Sequence, residues 1–129
     1  MKRISTRARS TRKGIISAFI ASIMLLYCSS VWAEEWIATA YCPCVSCCGK
    51  TDGITASGKK AVEGRTVAVN WLKLGQKVAV NGRTYVVEDR GAKSIFGSKQ
   101  RHLRRIDIYF AHHKDALNFG RQKVNVEVL

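Results

Sequence analysis

The chain has 129 residues, with 22 Lys and Arg against nine Asp and Glu, for a formal net charge of +13. That length holds one domain and excludes a multidomain enzyme. Inside a cell such a balance points to nucleic acid, so the compartment decides what the charge means.

The first third of the chain bears on compartment. Residues 1–14 carry six bases (Lys2, Arg3, Arg7, Arg9, Arg12, Lys13) and no acid, and residues 15–27 form an apolar run interrupted only by Ser17 and Ser22. Val31-Trp32-Ala33 follows, then Glu34-Glu35. Charged region, apolar run and small-residue end are the parts of a secretory signal peptide cleaved after Ala33. An uncleaved anchor would want roughly 20 apolar residues, more than this run supplies. Leu25-Leu26-Tyr27-Cys28 is a loose lipobox with bulky Tyr27 where a small residue belongs, and the leader has no Arg-Arg pair for twin-arginine export. Residues 34–129 then form the mature domain, in the periplasm or outside the cell. Losing six bases leaves 16 against nine acids, a formal +7. Export argues against nucleic acid and for an anionic polymer such as wall glycan. No stable membrane insertion is expected after cleavage.

Six stretches read as strands: 36–42, 66–70, 77–81, 83–89, 105–111 and 123–129. Most alternate or are rich in Val, Ile, Tyr and Phe. Asn81-Gly82 joins two of them, and both central residues of a type I′ turn need positive φ. Residues 112–119 form one short helix closed by Gly120. Residues 91–104, rich in Gly, Lys, Arg and Ser, read as a long loop of the kind that often carries function. A mainly β domain this small, with one short helix, suggests a closed barrel, which removes exposed sheet edges.

With Cys28 in the leader, Cys42, Cys44, Cys47 and Cys48 remain, all within seven residues. An oxidising compartment favours disulfides, with three connectivities open. A four-thiolate zinc site is the rival, but neighbouring ligands strain a tetrahedron, and no metal is assigned.

The acids are few enough to weigh singly. Glu34 and Glu35 sit at the new terminus, Asp52 and Glu63 in turns, and Asp115 and Glu127 on solvated faces. Glu88-Asp89 and Asp107 remain. Asp107 interrupts a strand in which Asp is disfavoured; alternation puts Ile106, Ile108 and Phe110 on one face, Asp107 and Tyr109 on the other. Asp89 ends a strand before Arg90-Gly91, where site residues often lie.

Thr39-Ala40-Tyr41-Cys42-Pro43-Cys44, Cys47-Cys48-Gly49-Lys50, Gly53-Ile54-Thr55-Ala56-Ser57-Gly58, Val67-Ala68-Val69, Leu74-Gly75, Val87-Glu88-Asp89-Arg90-Gly91 and Arg105-Ile106-Asp107-Ile108-Tyr109-Phe110 occur in that order. Together they resemble the 3D (three-aspartate) domain, as in the catalytic barrel of membrane-bound lytic transglycosylase A and in stationary-phase survival muralytic proteins. The resemblance covers nearly all of residues 34–129. It implies a six-stranded double-psi β-barrel and cleavage of the β-1,4 bond between N-acetylmuramic acid and N-acetylglucosamine with a 1,6-anhydro product, without a cofactor. It places the catalytic aspartate on Asp107 and its companion on Asp89. The third family aspartate is Asn70 here, which keeps the shape but loses the charge. Thr39, Tyr41, Thr55, Ser57, Asn70, Lys93 and Arg105 become candidates for holding glycan, although Lys93 or Arg105 close to Asp107 would lower its pKa. The implied partner is the glycan strand of peptidoglycan, met by a monomer.

One essential carboxyl suits this chemistry. Hydrolysis of a glycoside takes two carboxyl groups, whereas a lytic transglycosylase uses the sugar's own C6 hydroxyl as nucleophile. The alternative is a non-catalytic wall-polysaccharide module on the same barrel. A redox protein built on the cysteines is weaker, since no C-x-x-C opens a helix in a βαβ context.

Overall fold

The computed structural model describes residues 33–129. The expected leader, Cys28 included, lies outside the described residues except for Ala33.

The elements run β1 (Glu34–Tyr41), α1 (Val45–Cys48), β2 (Thr66–Ala68), β3 (Lys77–Val80), β4 (Arg83–Asp89), α2 (Lys93–Phe96), β5 (Arg105–Tyr109), α3 (His113–Phe119) and β6 (Gln122–Val128). The six strands close into a barrel in the order β1-β5-β2-β4-β3-β6. β1 with β5 and β2 with β4 pair in parallel, and the other four pairings are antiparallel. This is the mainly β, six-stranded barrel expected from the sequence. Among the described residues, no helix is long and apolar enough to cross a membrane.

The period-two pattern fills the barrel. Trp36 and Ala38, Val78 and Val80, Ile106 and Ile108, and Val124 and Val126 all point into one buried cluster. Residues between them face outward, as the pleat requires. Asn81 (φ 48°) and Gly82 (φ 84°) turn β3 into β4 through the left-handed pair that the Asn-Gly dipeptide announced.

Among the described residues, three short helices stand where a single one was expected. α1 forms where the cysteines stand and is closed by Gly49 in the left-handed conformation, its N–H bonded to the Val45 carbonyl. α2 lies inside residues 91–104, which also fold back through a bridge between Gly97 and His102. That segment is therefore ordered by its own contacts. Trp71 stacks on His102 with 4.5 Å between centroids, and its indole N–H donates to the Leu103 carbonyl at 2.9 Å.

Tyr109 lies on the strand face that alternation gives it. It shares a strand face with Asp107, yet it is buried in a second, smaller cluster with Tyr41, Ala61 and Ala68. The two tyrosine rings meet edge to face at 5.5 Å. The outer face of β1 and β5 thus splits, covered around Tyr41 and Tyr109 and left open at Asp107.

Candidate active site

Strand register builds the site. Thr39 of β1 lies beside Asp107 of β5, Asp107 beside Ala68 of β2, and Ala68 beside Asp89 of β4. Four adjacent strands therefore contribute one row: hydroxyl, carboxyl, methyl, carboxyl. The β2–β4 register slips between Val67 and Ala68, so that Glu88 is passed over and Asp89 falls into the row. A bulge of this kind re-aims side chains next to sites. Glu88 itself is buried, takes the Thr66 hydroxyl at 2.7 Å and pairs with Arg65 at 3.1 Å.

The row lies in a cleft of about 510 Å³, lined among others by Thr39, Tyr41, Ala68, Asp89, Gly91 and Asp107. Phe96 of α2 also lines it. Gly91 leaves room for it, since a Cβ there would stand 2.2 Å from the Phe96 ring.

The two aspartates differ in their surroundings. Asp107 accepts one side-chain hydrogen bond, from Thr39 Oγ1 to Oδ1 at 3.0 Å. Burial pushes its carboxyl up to about 6, helped by the negative charge of Asp89 and opposed by the Thr39 bond. Asp89 is held by three donors. Tyr41 gives its hydroxyl to Oδ2 at 2.8 Å, and the backbone N–H groups of Ala56 and Arg90 both reach Oδ1 at 2.9 Å. Burial, and then the neighbouring Asp89 charge, push the Tyr41 phenol well above its ordinary range, so it stays a donor.

Of the expected site residues, Asp107, Asp89, Thr39 and Tyr41 come together in the cleft. Thr55, Ser57 and Arg105 do not line it. Thr55 Oγ1 lies 2.7 Å from Ser57 Oγ and bonds the Lys59 carbonyl at 2.8 Å. These hydroxyls set the turn that aims the Ala56 N–H at Asp89. Asn70 and Lys93 line a neighbouring hollow of about 330 Å³, which shares Arg90 and Gly91 with the main cleft.

Asn70 uses its whole amide. Nδ2 donates to the carbonyls of Gly91 at 3.0 Å and Gly97 at 2.8 Å, while Oδ1 accepts from the Gly91 N–H at 2.8 Å. It pins both ends of the segment that carries α2. A carboxylate there would face two carbonyl oxygens without a proton to offer.

Several cleft residues carry no signal in the sequence, Ala68 and Arg90 among them. Ala68 was quoted only as part of an apolar triplet, and its closeness to both aspartates comes from non-local pairing. Arg90 follows Asp89 in its motif without a task of its own; its guanidinium donates to the Val69 carbonyl.

The cysteines form a separate constellation. The thiols of Cys42, Cys44, Cys47 and Cys48 are free. Cys42 Sγ lies 3.0 Å from Cys44 Sγ and 3.3 Å from Cys47 Sγ. His113 Nδ1 stands 3.4, 3.5 and 3.5 Å from the sulfurs of Cys42, Cys44 and Cys47. Cys48 turns away, its thiol directed to the Lys50 carbonyl at 3.1 Å. Burial pushes the Cys42 thiol up to about 12, whereas the hydrogen bond from Cys42 draws the Cys44 thiol down to about 7.

Neither a family model nor a curated protein matches this chain.

Proposed function

We propose that this protein is an exported lytic transglycosylase-like enzyme, which cleaves the β-1,4 bond between N-acetylmuramic acid and N-acetylglucosamine in peptidoglycan and leaves a 1,6-anhydro end. One observation carries the reading: the cleft holds a single lightly bonded carboxyl, Asp107, raised to about 6, beside a second carboxylate already committed to three donors.

Asp107 begins protonated. Thr39 occupies Oδ1, so Oδ2 carries the proton and delivers it to the glycosidic oxygen as the C1–O bond breaks. The leaving sugar departs as an alcohol, and positive charge gathers on C1 and the ring oxygen of the muramic unit. The Asp107 carboxylate then takes the proton of that sugar's C6 hydroxyl, whose oxygen bonds to C1. The acid is regenerated and no water is consumed. Asp89 supports the cycle from two strands away: its charge favours the protonated form of Asp107 at the start, and Tyr41 keeps it in place. The order of the motif residues along the chain carries the 3D-domain resemblance, on which this reading draws. The excess of bases over acids suits an anionic wall polymer, and the leader-like residues 1–33 suit delivery to it.

The test is digestion of isolated peptidoglycan by the purified protein, with products separated by mass. Anhydro-ended muropeptides are expected, and Asp107→Asn should lower their rate by at least about 100-fold, the contribution of a positioned proton donor. Reducing-end products would replace this reading with hydrolysis. Binding to the wall without products, unchanged in Asp107→Asn, would replace it with a polysaccharide-binding module.

A further inference from the structure

Three sulfurs and one imidazole nitrogen converge at the end of β1 in a way the glycan-cleaving reading does not use. The ligand atoms of Cys42, Cys44, Cys47 and His113 all lie within 4.8 Å of one another. Cys42 and Cys44 come from the β1–α1 turn and Cys47 from α1, and His113 opens α3, 71 residues beyond Cys42. We propose that Cys42, Cys44, Cys47 and His113 form a tetrahedral structural zinc site.

Geometry distinguishes this from a disulfide. Zinc–sulfur and zinc–nitrogen bonds of about 2.3 and 2.0 Å set tetrahedral edges of roughly 3.8 Å between sulfurs and roughly 3.5 Å between sulfur and nitrogen. The three sulfur–nitrogen distances, 3.4, 3.5 and 3.5 Å, already match. The recorded sulfur–sulfur distances, 3.0 and 3.3 Å, are shorter than such an edge but far longer than the roughly 2.05 Å of a disulfide bond. A modest spreading of the turn reaches the tetrahedron. Pairing two of the thiols would instead leave the third, and give no reason for an imidazole nitrogen to stand nearly equidistant from all three.

The local chain explains which cysteines take part. Pro43 separates Cys42 from Cys44, and the single turn of α1 brings Cys47 back to Cys44, its N–H bonded to the Cys44 carbonyl at 3.1 Å. Cys48, one step further round, points to the Lys50 carbonyl. The strain expected of two adjacent ligands therefore never arises, because His113 takes the fourth corner. Binding releases the thiol protons, and His113 ligates through Nδ1 with its proton on Nε2.

Four protein ligands close the coordination sphere, which marks a structural rather than a catalytic ion. The site would staple the end of β1 to the start of α3 across most of the sequence. In a domain with so small a core, such a staple contributes substantially to folding. It also fixes the turn whose Cys47 and Cys48 line the cleft of Asp107.

The full-length protein, reduced and offered equimolar zinc, should retain one ion per chain by elemental analysis. Replacing zinc with cobalt(II) should give the visible bands of a tetrahedral thiolate site. Alkylation should label Cys48, and Cys28 where the leader is retained, while Cys42, Cys44 and Cys47 stay protected until a chelator exposes them. His113→Ala should weaken zinc by more than about 100-fold, beyond the loss typical of a residue that merely supports a ligand. Cys48→Ser should leave affinity unchanged. A metal-free protein after this loading, zinc loss in Cys48→Ser, or a disulfide between any two of Cys42, Cys44 and Cys47 in protein purified without reductant would overturn the proposal. Because the alkylation pattern is read on the unaltered protein, a variant that fails to fold does not blunt the test. None of these readouts depends on glycan cleavage.

Discussion

Asp107 and Asp89 share a neighbour: each is in register with Ala68, one on either side of it. Two strand spacings, roughly 10 Å, therefore separate their backbones, and only a methyl group stands between. The pair is close enough for the charge of Asp89 to raise Asp107, and the two keep separate hydrogen-bond partners.

The first prediction concerns pH. The folded-state pKa of Asp107 is raised from 3.8 to about 6, so between those values the folded chain binds more protons than the unfolded chain. Stability falls as pH rises through that window. Asp107→Asn, which still accepts from Thr39, should therefore stabilise the protein near neutrality by about 1–2 kcal/mol, allowing for partial solvent access. Denaturant titration at pH 4 and pH 7 measures this, and a wild-type stability that does not fall between them contradicts it. Glycan cleavage should decline above about pH 6, as the acid loses its proton.

Two neighbours of Asp107 should move that decline in opposite directions. Thr39→Val removes the bond that favours the ionised form, so the descending limb should shift to higher pH. Asp89→Asn removes a like charge, so the limb should shift to lower pH. Rate profiles of the two variants against the parent suffice. Shifts of the same sign would mean that Asp107 is not the titrating acid.

Asn70→Asp tests the position at which the 3D-domain resemblance would put a third aspartate. Restoring the charge should not raise activity, because the Asn70 amide gives two hydrogen bonds that a carboxylate cannot make. Leaving two carbonyls against a buried charge should cost about 2–4 kcal/mol. Thermal unfolding with a parallel digestion assay decides it, and a faster, equally stable enzyme would show that the position wants an acid.

Ala68→Leu should fill the space between the aspartates. Overpacking costs about 1–3 kcal/mol, while cleavage should fall by orders of magnitude because the saccharide loses its place beside Asp107. Ala68→Ser, which adds one atom, should keep most of the activity. Comparing the two at a temperature where both remain folded separates occlusion from instability.

Much of the barrel was legible because its code is local. The alternation of Val78 and Val80, Ile106 and Ile108, and Val124 and Val126 marks strands, and Asn81-Gly82 marks a hairpin. Asp107 stood out because a carboxyl interrupts an apolar strand. What stayed hidden depends on distant partners. Thr55 and Ser57 read equally as turn formers and as glycan ligands, and nothing near them in sequence says that their turn supports Asp89. His113 opens a helix far from the cysteines, and no spacing rule links it to them. α1 and α2 are single turns, too short for a helical period to register.

The barrel closes by placing β1 between β5 and β6. The first strand of the domain therefore cannot complete either of its ladders until the last two strands exist. Such long-range closure makes folding slow relative to helical proteins of the same size. Until then the β1 edge is a bare template for pairing with other chains. Shortening the protein from its C-terminal end, even by the length of β6, should yield not a smaller barrel but an open sheet prone to aggregate.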